Sequence, residues 1–116
     1  MAPAVLAEEA AHFFDGVFDS PFMLFTFDTR QEARQRIPAA IHVDGSARVQ
    51  TVSRTGSPLF HRLIEEFAAL SGLPVLINTS FNIRGKPIVC RPEDALECFF
   101  LSPIDALAIG GFLLKK

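Results

Sequence analysis

Apolar residues recur along this chain with two different periods. Val5, Leu6, Ala10, Phe13 and Phe14 fall at helical steps, Pro3 suits a first turn and Asp15-Gly16 a stop, so the spacing predicts a helix over residues 4–14. Phe22-Met23-Leu24-Phe25-Thr26-Phe27 follows Pro21 as a continuous run, the pattern of a strand buried on both faces. Residues 29–36 are polar and basic, and read as a short helix or a loop. Residues 40–43 and 48–52 alternate on either side of Asp44-Gly45, which predicts a hairpin.

The clearest helix pattern runs from Pro58 to Leu70. Ser57 is the expected N-cap and Pro58 the first helical residue; Leu59, Leu63, Phe67 and Leu70 share a face with Phe60 and Ile64, and Gly72 ends it. Residues 73–77 read as a short buried strand running into a polar stretch, and Ile88-Val89-Cys90 as another strand. Pro92 to Leu101 is a second amphipathic helix with Glu93 and Asp94 at its positive end. Residues 106–114 form a strand interrupted at Gly110-Gly111. Alternating helices and strands with one antiparallel hairpin predict an α/β fold, an open mixed sheet with flanking helices.

Composition narrows the class. A chain of 116 residues suits one domain, residues 1–116, and 49% hydrophobic against 21% charged residues excludes a disordered one. The aromatics are 12 Phe with no Trp or Tyr, rings that fill space without donating a hydrogen bond. Eleven basic against 13 acidic residues give net charge −2, which disfavours nucleic acid as a partner. Cys90 and Cys98 are too few for a disulfide framework or a metal cluster, and read as reduced thiols. No apolar run approaches the roughly 18 residues of a membrane span, and no basic segment opens a signal peptide, so the expected location is cytoplasmic.

Candidate chemistry concentrates after the strand at 73–77. Asn78, Thr79, Ser80 and Asn82 offer amide and hydroxyl groups, Arg84 a forked cation and Lys86 a point charge, a set suited to phosphate or carbonyl oxygens. Ligands of open α/β sheets bind beyond the carboxyl ends of strands. The plain alternative is a turn whose Asn and Ser side chains cap backbone groups. Arg48, on a strand next to the Asp44-Gly45 turn, reads by itself as a solvent-facing residue. His42 reads as a strand residue, and His12 and His61 as solvated or packing side chains. Glu65 and Glu66 are adjacent on a helix and splay apart. Cys98 reads as core, and Cys90 has no base at a useful spacing.

Two longer blocks carry a resemblance. His42-Val43-Asp44-Gly45-Ser46-Ala47-Arg48-Val49-Gln50-Thr51-Val52 and the stretch from Leu73 through Asn78-Thr79-Ser80-Phe81-Asn82 to Val89 resemble signature segments of NodU/CmcH-type carbamoyltransferases. Pro92-Glu93-Asp94-Ala95, Ile104-Asp105-Ala106-Leu107 and the opening Ala2-Pro3-Ala4-Val5-Leu6 are similar to further blocks of that family. The family comprises nodulation-factor and antibiotic O-carbamoyltransferases. The resemblance implies a YrdC-like mixed α/β domain that makes carbamoyl-adenylate from carbamoyl phosphate and ATP with Mg²⁺. A separate N-terminal domain, which holds the family's iron, then passes the carbamoyl group to an acceptor hydroxyl. By the same resemblance Arg48 and Ser80 are the catalytic contacts to phosphate or carbamoyl groups, and Asn78, Thr79, Ser80, Asn82 and Arg84 line the nucleotide site. It places no metal ligand in this chain, and puts a further basic element of the site and the N-terminal domain before residue 1. The chain is therefore expected to be most of such a domain. The alternative from another class is a catalytically inactive remnant that serves as a homodimerisation or domain-docking module.

Overall fold

Ala2–Leu6 is a strand, β1, and all of it is buried. The expected helix over residues 4–14 is therefore replaced by this strand and a 3-10 turn at Ala7–His12. A short apolar run fits either period, and strand pairing decides it here. β1 is the middle of a three-stranded sheet, parallel to β4 (Gln50–Val52) and antiparallel to β5 (Val75–Asn78). Its period-two alternation sends Val5 into one core with Phe13, Phe14, Val49 and Val75, and Ala4 and Leu6 into another with Val52 and Ile64.

Proline in a central strand needs an explanation, because it donates no ladder bond. Leu6 N–H donates to Pro74 O at 3.4 Å, and antiparallel pairs alternate between bonded and non-bonded. Ala4/Leu76 and Ala2/Asn78 are then bonded pairs, and Pro3 lies opposite Ile77 at a non-bonded one. On the other side the parallel ladder starts only at Ala4, opposite Gln50. The missing N–H of Pro3 costs the sheet nothing.

The structure, a computed structural model, describes residues 1–116, which divide into two units, Met1–Thr79 and Ser80–Lys116. In the first unit the run at 22–27 is not a buried strand. Only Thr26–Asp28 pairs, as β2, while Phe22 and Leu24 are exposed and Met23 adopts φ 55°. The chain turns there because Ser20 is already engaged against β4: Thr51 N–H donates to Ser20 O at 3.0 Å and Ser20 N–H to Thr51 Oγ1 at 2.8 Å.

The Asp44-Gly45 turn forms, with His42 N–H donating to Ser46 O at 2.7 Å. Gly45 sits at φ +87°, a left-handed backbone that favours glycine, while the nearest atoms to an added Cβ belong to the movable end of Arg34. Residues 40–43 nevertheless form no strand, and the hairpin partner is β2, antiparallel to β3 (Ser46–Arg48). An Asp-Gly pair specifies the turn and leaves the partner to the core.

Helix α1 spans Pro58–Ser71 and ends as expected, with Gly72 at φ 75° and its N–H on Ala68 O at 2.7 Å. Its orientation differs from expectation. Ile64 and His61 face the core, while Leu59 and Leu70 are 87% and 90% exposed. The helix has two apolar rows; the buried one packs Ile64 against Ala4, Leu6 and Val52, and His61 next to it finds a partner, its Nε2 lying 2.8 Å from Glu8 Oε1. Ser57 contributes its backbone carbonyl to His61 N–H and no side-chain cap.

Burial raises the Glu8 carboxyl, but hydrogen bonds from its own N–H and from His61, with the charges of His61 and Arg54, outweigh it and hold it below the ordinary carboxylate range. A carboxyl lowered on folding contributes stability above its unfolded pKa and loses it as pH falls through the folded one. Wild type is accordingly expected to lose thermal stability between about pH 5 and pH 3 more steeply than Glu8→Gln. Parallel melting profiles from thermal scans would contradict this.

In the second unit α2 (Pro92–Leu101) forms where expected, its start fixed by Asp94, whose Oδ2 accepts Arg91 N–H at 3.1 Å. Phe99, Ala95 and Leu107 make its core, and Cys98 is buried as expected. Residues 106–114 become a hairpin, β6 (Ala106–Ile109) and β7 (Phe112–Lys115), turned at Gly110 with φ +55°. Ile88-Val89-Cys90 is not a strand. Val89 N–H donates to Phe81 O at 3.0 Å, an isolated bond with no ladder, and Cys90 is exposed. No helix is long and apolar enough to cross a membrane.

Candidate functional site

Arg48 ends β3, and Gln50 begins β4 two residues later in extended chain. Ala47 and Val49 between and before them are buried in the core of Val5 and Phe13, so alternation projects Arg48 and Gln50 to the opposite side, the face that carries Val52. Arg48 is exposed and has neither hydrogen-bond nor ion-pair partner, so its fork of donors is free. Gln50 is committed: its Oε1 accepts from Asn78 Nδ2 at 2.9 Å, and its Nε2 donates to Pro21 O at 3.2 Å. Asn78 is thereby fixed at the carboxyl end of β5 with one N–H and its carbonyl oxygen still unused. Thr79 follows, exposed.

The first unit thus brings Asn78 onto Gln50, which is itself two residues from Arg48. Gln50 is a residue that sequence reasoning passed over. It lies inside the block that singled out Arg48, but only the sheet order, with β1 between β4 and β5, shows that its amide reaches Asn78.

Ser80, Asn82 and Arg84 belong to the second unit. Ser80 and Arg84 are exposed, and neither side chain is engaged. Asn82 does what the turn reading foresaw: its Nδ2 donates to Ile83 O at 3.1 Å and Lys86 O at 3.0 Å. Both amide hydrogens are used, which leaves only the carbonyl oxygen to accept from a ligand. Lys86 is not the free point charge expected, because its Nζ is 2.6 Å from Glu97 Oε1. The turn at 83–86 closes with Lys86 N–H on Ile83 O at 2.9 Å around Gly85 at φ +84°. Asn82→Ala removes both side-chain bonds, each worth about 0.5–1.5 kcal/mol. Faster amide exchange at Lys86 than in wild type is the expected result, and unchanged protection would show that the turn holds without Asn82.

A cavity of about 370 Å³ in the second unit lies between the loop and α2, lined by Ile83, Lys86, Val89, Asp94 and Cys98 among others. Of the candidate residues none but Lys86 reaches it. In the first unit Glu8, His61 and Glu65 bring donor atoms within 4.8 Å of one another. Glu8 faces His61 Nε2 at 2.8 Å and Glu65 faces Nδ1 at 3.6 Å. One carboxylate thus faces each ring nitrogen, so the two acids do not converge on a single ring atom.

In this α/β protein the Arg48 guanidinium, the Asn78 amide and the Thr79 hydroxyl lie at strand ends as hydrogen-bond donors of the kind that oxyanions accept from. Comparison with known proteins makes the assignment sharper. The chain matches the family described as Carbamoyltransferase C-terminus over residues 1–116. It is 42% identical to the nodulation protein NolO of Bradyrhizobium diazoefficiens over 118 residues, covering 99% of this chain and 22% of that protein. It is 38% identical to nodulation protein U of Rhizobium tropici over 116 residues, covering 100% of this chain and 20% of the other. With the 3'-hydroxymethylcephem-O-carbamoyltransferase of Amycolatopsis lactamdurans it shares 43% identity over 94 residues, 81% of this chain and 18% of the enzyme. The chain belongs to the carbamoyltransferase C-terminal family. It spans about a fifth of the length of the curated relatives it matches.

Proposed function

We propose that this chain is the part of an O-carbamoyltransferase that binds ATP and carbamoyl phosphate and forms carbamoyl-adenylate. The observation that carries the reading is Arg48, a strand-end guanidinium with no internal partner, two residues from the Gln50 whose amide fixes Asn78. Family membership supports the same chemistry.

The reaction needs little from the protein beyond position and charge. Water releases phosphate from carbamoyl phosphate to leave carbamate. A carbamate oxygen then attacks the α-phosphorus of ATP, a P–O bond forms, and pyrophosphate departs with the electrons of the broken P–O bond. Charge builds on phosphate oxygens throughout, so fixed donors stabilise the transition state more than the ground state. Arg48 is assigned to those oxygens as a bidentate donor, with Ser80 as a hydroxyl donor to phosphate or carbamoyl oxygen. Asn78, Thr79 and Arg84 are assigned to the nucleotide. Asn82, with its amide hydrogens spent, is left to accept from an adenine amino or ribose hydroxyl group. These side chains include no carboxylate to ligate a metal, so Mg²⁺ would be held by the triphosphate and would supply charge neutralisation there. Transfer to an acceptor hydroxyl is assigned to an N-terminal domain of the whole enzyme, together with the family's iron.

Exchange of labelled pyrophosphate into ATP tests this reading. Exchange that depends on carbamoyl phosphate and disappears in Arg48→Ala and Ser80→Ala is expected. Exchange unaffected by either substitution would overturn the assignment of the site.

A further inference from the structure

Ser20 and Pro21 lie against β4 in a network of hydrogen bonds. Thr51 N–H donates to Ser20 O at 3.0 Å, Ser20 N–H to Thr51 Oγ1 at 2.8 Å, and the Ser20 hydroxyl to Val49 O at 3.1 Å. The Thr51 hydroxyl donates its own proton to Asp19 Oδ1 at 2.9 Å, which leaves its oxygen to accept from Ser20. Ser20 and Thr51 are both buried, so opening the network would leave polar groups unpaired. Its effect is to hold the next carbonyl, that of Pro21, 3.2 Å from Gln50 Nε2. The proline ring fixes φ there and stiffens the placement.

A carbonyl can only accept, so Pro21 O dictates the direction of the bonds beyond it. Gln50 has to turn Nε2 to Pro21, which leaves Oε1 for Asn78, and Asn78 has to answer with Nδ2, at 2.9 Å. With the Gln50 amide reversed, two carbonyl oxygens would meet. We propose that Ser20, Pro21, Thr51 and Gln50 are positioning residues that fix the polarity of the Asn78 amide, so that its Oδ1 accepts from a hydrogen-bond donor of the nucleotide. A freely turning asparagine could offer both N–H groups to phosphate oxygens. Asn78 keeps one N–H, and its carbonyl oxygen would repel a phosphate. The neutral donors of ATP are its ribose hydroxyls and its adenine amino group, so the Asn78 carbonyl meets the nucleoside while Arg48 meets the phosphates. The inference rests on the nucleotide reading above and adds to it a choice among nucleosides.

Calorimetric titrations of the chain with the Mg²⁺ complexes of ATP, 2′-deoxy-ATP, 3′-deoxy-ATP and purine riboside triphosphate, which lacks the amino group, test the proposal. The analogue without the donor that faces Asn78 is expected to bind about 2- to 10-fold more weakly than ATP, and its identity names that donor. In Asn78→Ala the ratio is expected to fall to one. It should also fall in Gln50→Ala and in Thr51→Val, which keeps the shape of threonine without the hydroxyl, and return to the wild-type value in Thr51→Ser. A purely structural role would weaken ATP and analogue alike and leave the ratio unmoved. Wild-type ratios of one for all three analogues, or a ratio that survives in Asn78→Ala or in both Gln50→Ala and Thr51→Val, overturn the proposal. Arg48-dependent ATP binding alongside such a result leaves the nucleotide reading standing, whereas absence of ATP binding by the folded chain overturns both.

Discussion

Phe13→Ala lowers the stability of the fold by about 3–5 kcal/mol, the usual result of removing a fully buried aromatic ring. Phe13 is 1% exposed and packs in the core that also holds Val5, Phe14, Phe27 and Val75. The Arg36 guanidinium lies 5.1 Å from its ring centroid and donates to Gly72 O at 3.1 Å, so the ring also supports the contact that steadies the end of α1. At roughly 4–8 °C per kcal/mol the melting temperature should fall by at least about 12 °C. Phe22→Ala is the matched control. The sequence pattern puts Phe22 in a buried strand, whereas the structure leaves it 75% exposed, so a change within about 0.5 kcal/mol is expected. Equal losses from the two substitutions, read in the same thermal scan, would restore the buried strand and contradict the core described above.

Arg48→Ala acts on binding instead. The side chain is exposed and unpartnered, so its removal should leave the melting temperature within the range of a neutral surface change. A charge-assisted hydrogen bond to phosphate contributes about 1.5–3 kcal/mol, which corresponds to a loss of about 10- to 100-fold in affinity for ATP. Arg48→Lys keeps the charge and loses the fork, so it should fall between wild type and alanine. Gln50→Ala tests the support: Asn78 loses its partner, and a smaller loss of affinity is expected, again by calorimetric titration.

Elements with their own end signals were legible in the sequence. Pro58 and Gly72 bracket α1 and Pro92 with Asp94 starts α2, each a local preference that any surrounding fold would honour. Gly110, by contrast, reads in sequence only as an interruption of one strand and proves to turn the β6–β7 hairpin. What the sequence hid depends on partners distant in the chain. Residues 2–6 satisfy helical spacing, yet become a central strand because residues 50–52 and 75–78 lie on either side. His61 reads in sequence as solvated or packing, and the packing role emerges only with its carboxylate partner, Glu8, from a different element. The site was half legible. Asn78 stood out by residue type and Arg48 by family resemblance alone, but Gln50 became meaningful only once the sheet order carried its amide to Asn78. Asn82 and Lys86 show the reverse, since the hydrogen bonds that hold their loop take up groups that composition alone offers to a ligand.

The central claim is that the Arg48 edge receives a nucleotide phosphate. Calorimetric titration of the folded chain with Mg-ATP at neutral pH addresses it most directly. The account predicts saturable binding at one site per chain, weakened about 10- to 100-fold in Arg48→Ala with the melting temperature unchanged. Absence of heat from a folded wild-type sample, or equal affinity in Arg48→Ala, would contradict it.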